Sequence, residues 1–147
     1  MKRNKWANFK RTIGDGDFES ALCAVDEALA SLRKKYGPAL LSVMLFGSLA
    51  RRSRTYDDID LLLVTDESLG STHEVTKELS QEIFSHLFWE HGELFSFLVY
   101  SKAQFEGLRG HLPLLDEVER DGILLYGQDL FAEAPGRGVP ADRSQAT

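Results

Sequence analysis

The sequence predicts an α/β protein in which a small mixed β-sheet is packed by helices. Three observations carry that expectation. Apolar residues recur at helical spacing in some stretches and fall into short continuous runs in others. The two kinds of stretch alternate along the chain, as they do where helices cover a sheet. At 147 residues the chain has the length of one domain and can bury a core without disulfides.

The elements follow in order. Residues 12–18, TIGDGDF, read as a turn. A helix is predicted from about Glu19 to Tyr36, with Leu22, Val25, Leu29 and Leu32 on one face. Gly37-Pro38 stops it. Ala39 to Phe46 is an almost unbroken apolar run, the pattern of a strand covered on both faces. Gly47 breaks it, residues 48–53 can form a short helix, and Ile59 to Val64 is a second buried strand. Ser71 or Thr72 caps a long helix running to about Glu90, with Leu79, Ile83, Phe84 and Leu87 inward. His91-Gly92 ends it, and Leu94 to Tyr100 is a third strand. Ser101 caps the short helix KAQFEGL, and Pro113 opens another that runs to Arg120. Gly122 ends that helix, and ILLYG is a last short strand. The relative direction of the first two strands is left open by the dozen residues between them.

The ends differ in composition from the middle. Residues 1–11 hold five Lys or Arg and no acid, so residues 1–18 are expected to be a basic, solvated arm. Residues 19–131 form the folded domain, and 132–147 lack an apolar pattern and are expected to be a disordered tail. The formal charge of −6 argues against a general nucleic-acid binder. No apolar run approaches the ~18 residues of a membrane span. The single cysteine, Cys23, excludes an internal disulfide and points to a reducing cytoplasm. Its apolar neighbours suggest a small core residue.

The chemistry is concentrated in LFGSLARRSRTYDDIDLLLV, residues 45–64. Asp58 and Asp60 are two apart, and on a strand such residues share a face. Two carboxylates held side by side repel each other unless a cation joins them, and magnesium is commonly held by one or two carboxylates plus phosphates. A polar strand entrance facing water is the competing explanation, and Asp57 fits it. Gly47-Ser48 ends the preceding strand ahead of a short helix. There backbone N–H groups can converge on a phosphate, and Gly47 permits close approach. A turn with a helix cap is the alternative. Arg51 and Arg52 follow within a turn and can grip phosphate with a forked guanidinium. A phosphate cradle on one strand and an Asp-x-Asp on the next are the parts that bind a metal nucleotide and transfer a piece of it.

Gly-Ser, a spacer, then Asp-x-Asp inside an apolar strand resembles the signature of the polymerase-β-type nucleotidyltransferase superfamily. The short chain and the GSLAR…DIDL form resemble its minimal nucleotidyltransferases, often antitoxins encoded beside HEPN-type toxins. The diagnostic match covers about 20 residues, and a looser one most of residues 20–127. The resemblance implies the nucleotidyltransferase fold. It also implies ATP or another NTP over Gly47-Ser48, two Mg²⁺ ions on Asp58 and Asp60, and AMP transfer to a toxin tyrosine. Three departures stand out. Arg52 replaces a glycine, and Asp57 replaces a serine before the first aspartate. The strand LFSFLVY shows Ser96 where active members carry a third carboxylate. Glu93, three residues earlier and of opposite parity, serves as third ligand only if that strand bulges or starts later.

Two functions follow. One is a magnesium-dependent nucleotidyltransferase acting on a cognate toxin. The other is a weak or inactive relative that neutralises its partner by covering it, as Ser96 suggests. Transfer to a small molecule such as an aminoglycoside is disfavoured, because after residue 127 no second substrate domain is evident. The remaining candidates carry less. His86 and His91, five apart, do not share a helical face, so zinc is not expected. Phe88 and Trp89 read as core or interface, and Tyr56 as a loop aromatic. The uncharged run LFSFLVY would invite pairing with another chain at a sheet edge, which leaves a homo-oligomer open.

Overall fold

The structure, a computed structural model, describes residues 5–13, 16–53 and 55–132. Helices α1 (Lys5–Ile13) and α2 (Glu19–Tyr36) precede strand β1 (Leu40–Phe46). The short helix α3 (Gly47–Ala50) follows, then β2 (Asp58–Thr65). Helices α4 (Thr72–Leu79) and α5 (Ser85–His91) lead to β3 (Leu94–Ser101), and α6 (Lys102–Leu108) and α7 (Pro113–Asp121) lead to β4 (Ile123–Gly127).

The sheet order is β3-β2-β1-β4. Strand β1 runs antiparallel to β2 and β4, and β2 runs parallel to β3. The direction of β1 against β2, open in the sequence, is therefore that of a hairpin-like return through α3. The parallel step from β2 to β3 needs a long crossover, which α4 and α5 supply.

Strand parity sorts the core into two layers. Val43 and Leu45 of β1, Ile59, Leu61 and Leu63 of β2, and Phe95 and Val99 of β3 face α1, α2, α4 and α5. Met44 and Phe46, with Leu62 and Val64, face α6 and α7 through Phe105, Leu115 and Val118. Both faces of β1 and β2 are thus covered, which is why their sequences are continuous apolar runs.

Helix α2 buries Ala21, Ala24, Val25, Ala28, Leu32 and Tyr36. Leu22 and Leu29, expected inside, are only partly buried. The alanines let the helix lie close to the sheet, and the leucines flank the contact. Cys23 is exposed rather than in the core, because the same rotation of α2 turns it outward.

The long helix expected from Ser71 to Glu90 is interrupted by a wide π-turn at Ser80–Phe84. Its buried residues, Val75, Leu79, Ile83 and Leu87, recur every four positions. At about 3.6 residues per turn such a stripe drifts around the helix, and one wider turn brings it back to the sheet. Ser71 caps the start, its Oγ accepting from Glu74 N–H at 3.4 Å. Gly92, with φ 70°, closes the end.

The basic N-terminal segment departs most from expectation. Residues 5–13 form a helix rather than a solvated arm, with Trp6 and Phe9 buried. Two aromatic residues three apart face inward, and the lysines stay outside. Trp6 Nε1 donates to Asp26 Oδ1 at 2.7 Å, and Lys10 Nζ lies 2.9 Å from Asp26 Oδ2. At the other end, Leu130 is buried and Phe131 packs edge-on against Phe105 at 5.1 Å. The segment expected as a tail lies, from residue 133 on, outside the described residues. No helix among the described residues is long and apolar enough to cross a membrane.

Candidate active site

The site forms where β1 ends and β2 begins, adjacent antiparallel strands. Phe46 pairs with Asp60, so the bend after Phe46 lies beside the acidic start of β2. Gly47 has φ 78°, a conformation that costs other residues strain. A Cβ on Gly47 would collide with Asp60 Oδ2 and sit 3.1 Å from Asp60 Cγ. The glycine thus gives Asp60 its room, and the Gly-Ser bend and the second aspartate are in direct apposition. The Ser48 hydroxyl makes no hydrogen bond among the described residues.

Asp58 and Asp60 share the face of β2 that also carries Leu62 and Val64, while Ile59 is fully buried on the other. Neither carboxylate has a hydrogen-bond or ion-pair partner among the described residues. Burial pushes the Asp60 carboxyl up to about 6, and the charges of Asp58 and Glu117 add to the rise, while Arg51 opposes it. A crowded acidic pair with no contacting cation is what a hard divalent ion relieves. The donor set fits magnesium in that sense, with two carboxylate oxygens on one face. Among the described residues no group of three or more His, Cys, Asp or Glu is gathered for a metal. The remaining ligands would be phosphate and water, as is usual for magnesium.

The two arginines part company. Arg51 Nη1 lies 3.0 Å from Glu117 Oε2, in reach of Asp60's field. Arg52 takes φ 62° and turns to α1, where Nη2 donates to Thr12 Oγ1 at 2.8 Å and the guanidinium lies 5.2 Å from the Phe9 ring. Arg52 is therefore engaged with the N-terminal helix, not gathered with the carboxylates. The unexpected helix explains it, since without α1 this arginine has no such partner.

Ser96 stands directly opposite Asp60 in the parallel pairing of β2 and β3. Strand β3 runs in unbroken register from Leu94 to Ser101, with no bulge to change its parity. Glu93 is not brought to Asp58 and Asp60. It accepts from Tyr56 Oη, at 3.3 Å to each carboxylate oxygen. Tyr56 stacks on Phe18 at 6.3 Å, and burial, with Glu93 nearby, pushes its hydroxyl up to about 12. Glu93 is thus occupied with a tyrosine, because its position before Phe95 puts it on the α2 side of the sheet.

Sequence reasoning missed Glu117. It sits on α7 between the buried Leu115 and Val118, in a stretch that reads as an ordinary amphipathic helix. Only the packing of α7 on α3 and β1 brings it to the site. The histidines also converge unexpectedly. His86 Nε2 and His91 Nε2 lie 2.6 Å and 2.7 Å from the two oxygens of Glu27 on α2. Phe88 and Trp89 are exposed, Trp89 at 82%. They are not core, since the residue that α5 buries is Leu87.

A four-stranded mixed sheet, a glycine bend at its centre and two same-face aspartates on the next strand define a nucleotidyltransferase fold. One solved structure it resembles is a candidate nucleotidyltransferase from Sulfolobus solfataricus, at 20% identity and TM-score 0.50, over 78% of this chain and 90% of that one. A toxin–antitoxin crystal structure with AMP-PNP matches at 20% identity and TM-score 0.49, over 71% and 75%. A structure of a tri-AMPylated Shewanella oneidensis HEPN toxin in complex with MNT antitoxin matches at 20% identity and TM-score 0.45, over 76% of each chain. At these identities the similarity is one of fold. No protein-family model matches the sequence, and no curated protein does.

Proposed function

We propose that the chain is a magnesium-dependent nucleotidyltransferase that moves a nucleoside monophosphate, AMP from ATP, onto a hydroxyl acceptor. The acceptor proposed from the motif's resemblance is a tyrosine of a cognate HEPN-type toxin, which makes the chain an antitoxin. The observation that carries the reading is the apposition of Asp60 and Gly47, with Asp58 on the same face.

The chain's own residues divide the work. Asp58 and Asp60 would hold the cations. Gly47 leaves space at the bend for the triphosphate, Ser48 offers a free hydroxyl to it, and Arg51 supplies positive charge. Two bound magnesium ions would make the acceptor hydroxyl more acidic and spread charge on the α-phosphate and the leaving pyrophosphate. In the transfer the acceptor oxygen bonds to the α-phosphorus, and the bond from that phosphorus to the bridging oxygen breaks. Pyrophosphate leaves with the bond electrons, and the hydroxyl proton passes to solvent. Arg52 is a second positive charge after the bend, with its Nη2 donated to Thr12 on α1.

The test is incubation of the full chain with labelled ATP, magnesium and the product of the adjacent gene. Label on that protein, lost in Asp58→Asn and Asp60→Asn, is the expected result. No label with any NTP sinks the reading. A second reading, neutralisation by binding alone, is favoured by Ser96 opposite Asp60 and by Glu93 turned to Tyr56. It predicts that the double Asn variant still silences the partner in cells.

A further inference from the structure

We infer that Glu117 is a positioning residue for phosphate recognition, reaching from α7 to aim Arg51 across the acidic pair. The inference rests on the nucleotidyl-transfer reading and adds to it a residue of α7, from the layer that Asp58 and Asp60 face.

Four observations support it. Arg51 is the first residue past the four-residue α3, and its side chain is 45% exposed. Left alone, so long a side chain samples many rotamers and loses that freedom on gripping a ligand. Glu117 is on firmer ground, because Leu115 and Val118 beside it are buried against β1 and β2 in the second core layer. Second, the ion pair uses only Nη1. A guanidinium carries five N–H donors in a fixed fork, so the rest of the fork stays open to a phosphate. Third, α3 packs on β2 as well as on α7, which places the pair beside the bend and the strand that carries Asp58 and Asp60. Fourth, Arg52 is held by Thr12 and Phe9. Of these two arginines, Arg51 is the one tied to α7.

The geometry favours aiming over blocking. A carboxylate that covered the whole fork would compete with phosphate. One that fixes a single nitrogen leaves the ordering already done before the ligand arrives.

The test is calorimetric titration of the full chain with magnesium-ATP and, separately, with magnesium tripolyphosphate, which keeps the phosphates and drops the nucleoside. Glu117→Gln is expected to weaken both by about three- to fivefold, the scale of a part-exposed ion pair. Arg51→Gln is expected to weaken both by about tenfold, having lost a charge-assisted contact. The double variant should bind no worse than Arg51→Gln, because Glu117 acts through Arg51. In a transfer assay Glu117→Gln should raise KM for the nucleotide and leave kcat within about twofold. Glu117→Asp, which keeps the charge, should retain more affinity than Glu117→Gln; equal losses mean that the position matters only for packing, and the inference fails. Unchanged or tighter binding by Glu117→Gln overturns it too, as do losses that multiply in the double variant. A wild-type chain that binds neither probe overturns the nucleotidyl-transfer reading and this inference with it. A wild-type chain that binds both, with Glu117→Gln unaltered, overturns this inference alone.

Discussion

Replacing Asp60 by Asn should stabilise the metal-free protein while removing its proposed activity. The side chains are nearly isosteric, so the space beside Gly47 is kept. What changes is charge. The Asp60 carboxyl, ordinarily at 3.8, sits at about 6 in the folded protein, from burial first and then from Asp58. Each pH unit between folded and unfolded values is worth about 1.4 kcal/mol, so the full gap corresponds to about 3 kcal/mol. Asp60 is only half-buried, and solvent screening reduces that to about 1–2 kcal/mol. The sign follows from proton counting. Between 3.8 and about 6 the folded state binds more protons than the unfolded one, so stability falls as pH rises through that window. Above about 6 the whole cost of the charge is present, and Asn avoids it. Urea unfolding in EDTA is the assay. At pH 7.5 Asp60→Asn should be more stable by about 1–2 kcal/mol, and the advantage should shrink toward zero at pH 4. A variant less stable than wild type at pH 7.5, or a difference independent of pH, refutes the argument that this carboxylate is held at a cost for function.

Two further outcomes are expected. Gly47→Ala should lose about 1–3 kcal/mol from its positive φ alone, and its methyl group should push Asp60 aside. Thermal melts should show a folded but weakened protein, and calorimetry should show loss of magnesium-ATP binding; unimpaired binding would mean that the bend is not the phosphate cradle. Hydrogen bonding to His91, ahead of that to His86, holds the Glu27 carboxyl below its ordinary 4.5. A depressed acid stabilises the fold above its unfolded value, so Glu27→Gln should cost under ~1 kcal/mol at neutral pH. That difference should vanish as pH falls well below 4.5, and denaturation at two pH values would expose a difference that persists.

The parts of the site that were legible in the sequence are those whose geometry is local. Asp58 and Asp60 share a face because strand residues two apart must, and Gly47 marks a bend because its neighbours could not take φ 78° without strain. Even the slot of Ser96 could be counted, since an unbroken apolar strand keeps its parity. What escaped depends on tertiary packing. Trp6 and Phe9 in a basic segment looked like the end of a charged arm, because charge outnumbers apolar residues there. Yet two aromatic residues at helical spacing were enough to bring that helix into the core, and with it a partner for Arg52. Glu117 lies 66 residues from Arg51, and no spacing rule links an acid on a late helix to an arginine after a glycine bend. His86 and His91 failed the test of a common helical face, but their side chains reach one carboxylate on α2 from two sides. The same distinction explains why the Gly-Ser bend and the aspartates stand out in the sequence while the charges around them do not. A strand and its bend position reactive groups by backbone geometry, which the sequence encodes within twenty residues. Around Asp60, burial and Asp58 come first, and the further charges, Glu117 on α7 and Arg51 after α3, meet only once the helices have closed on the sheet.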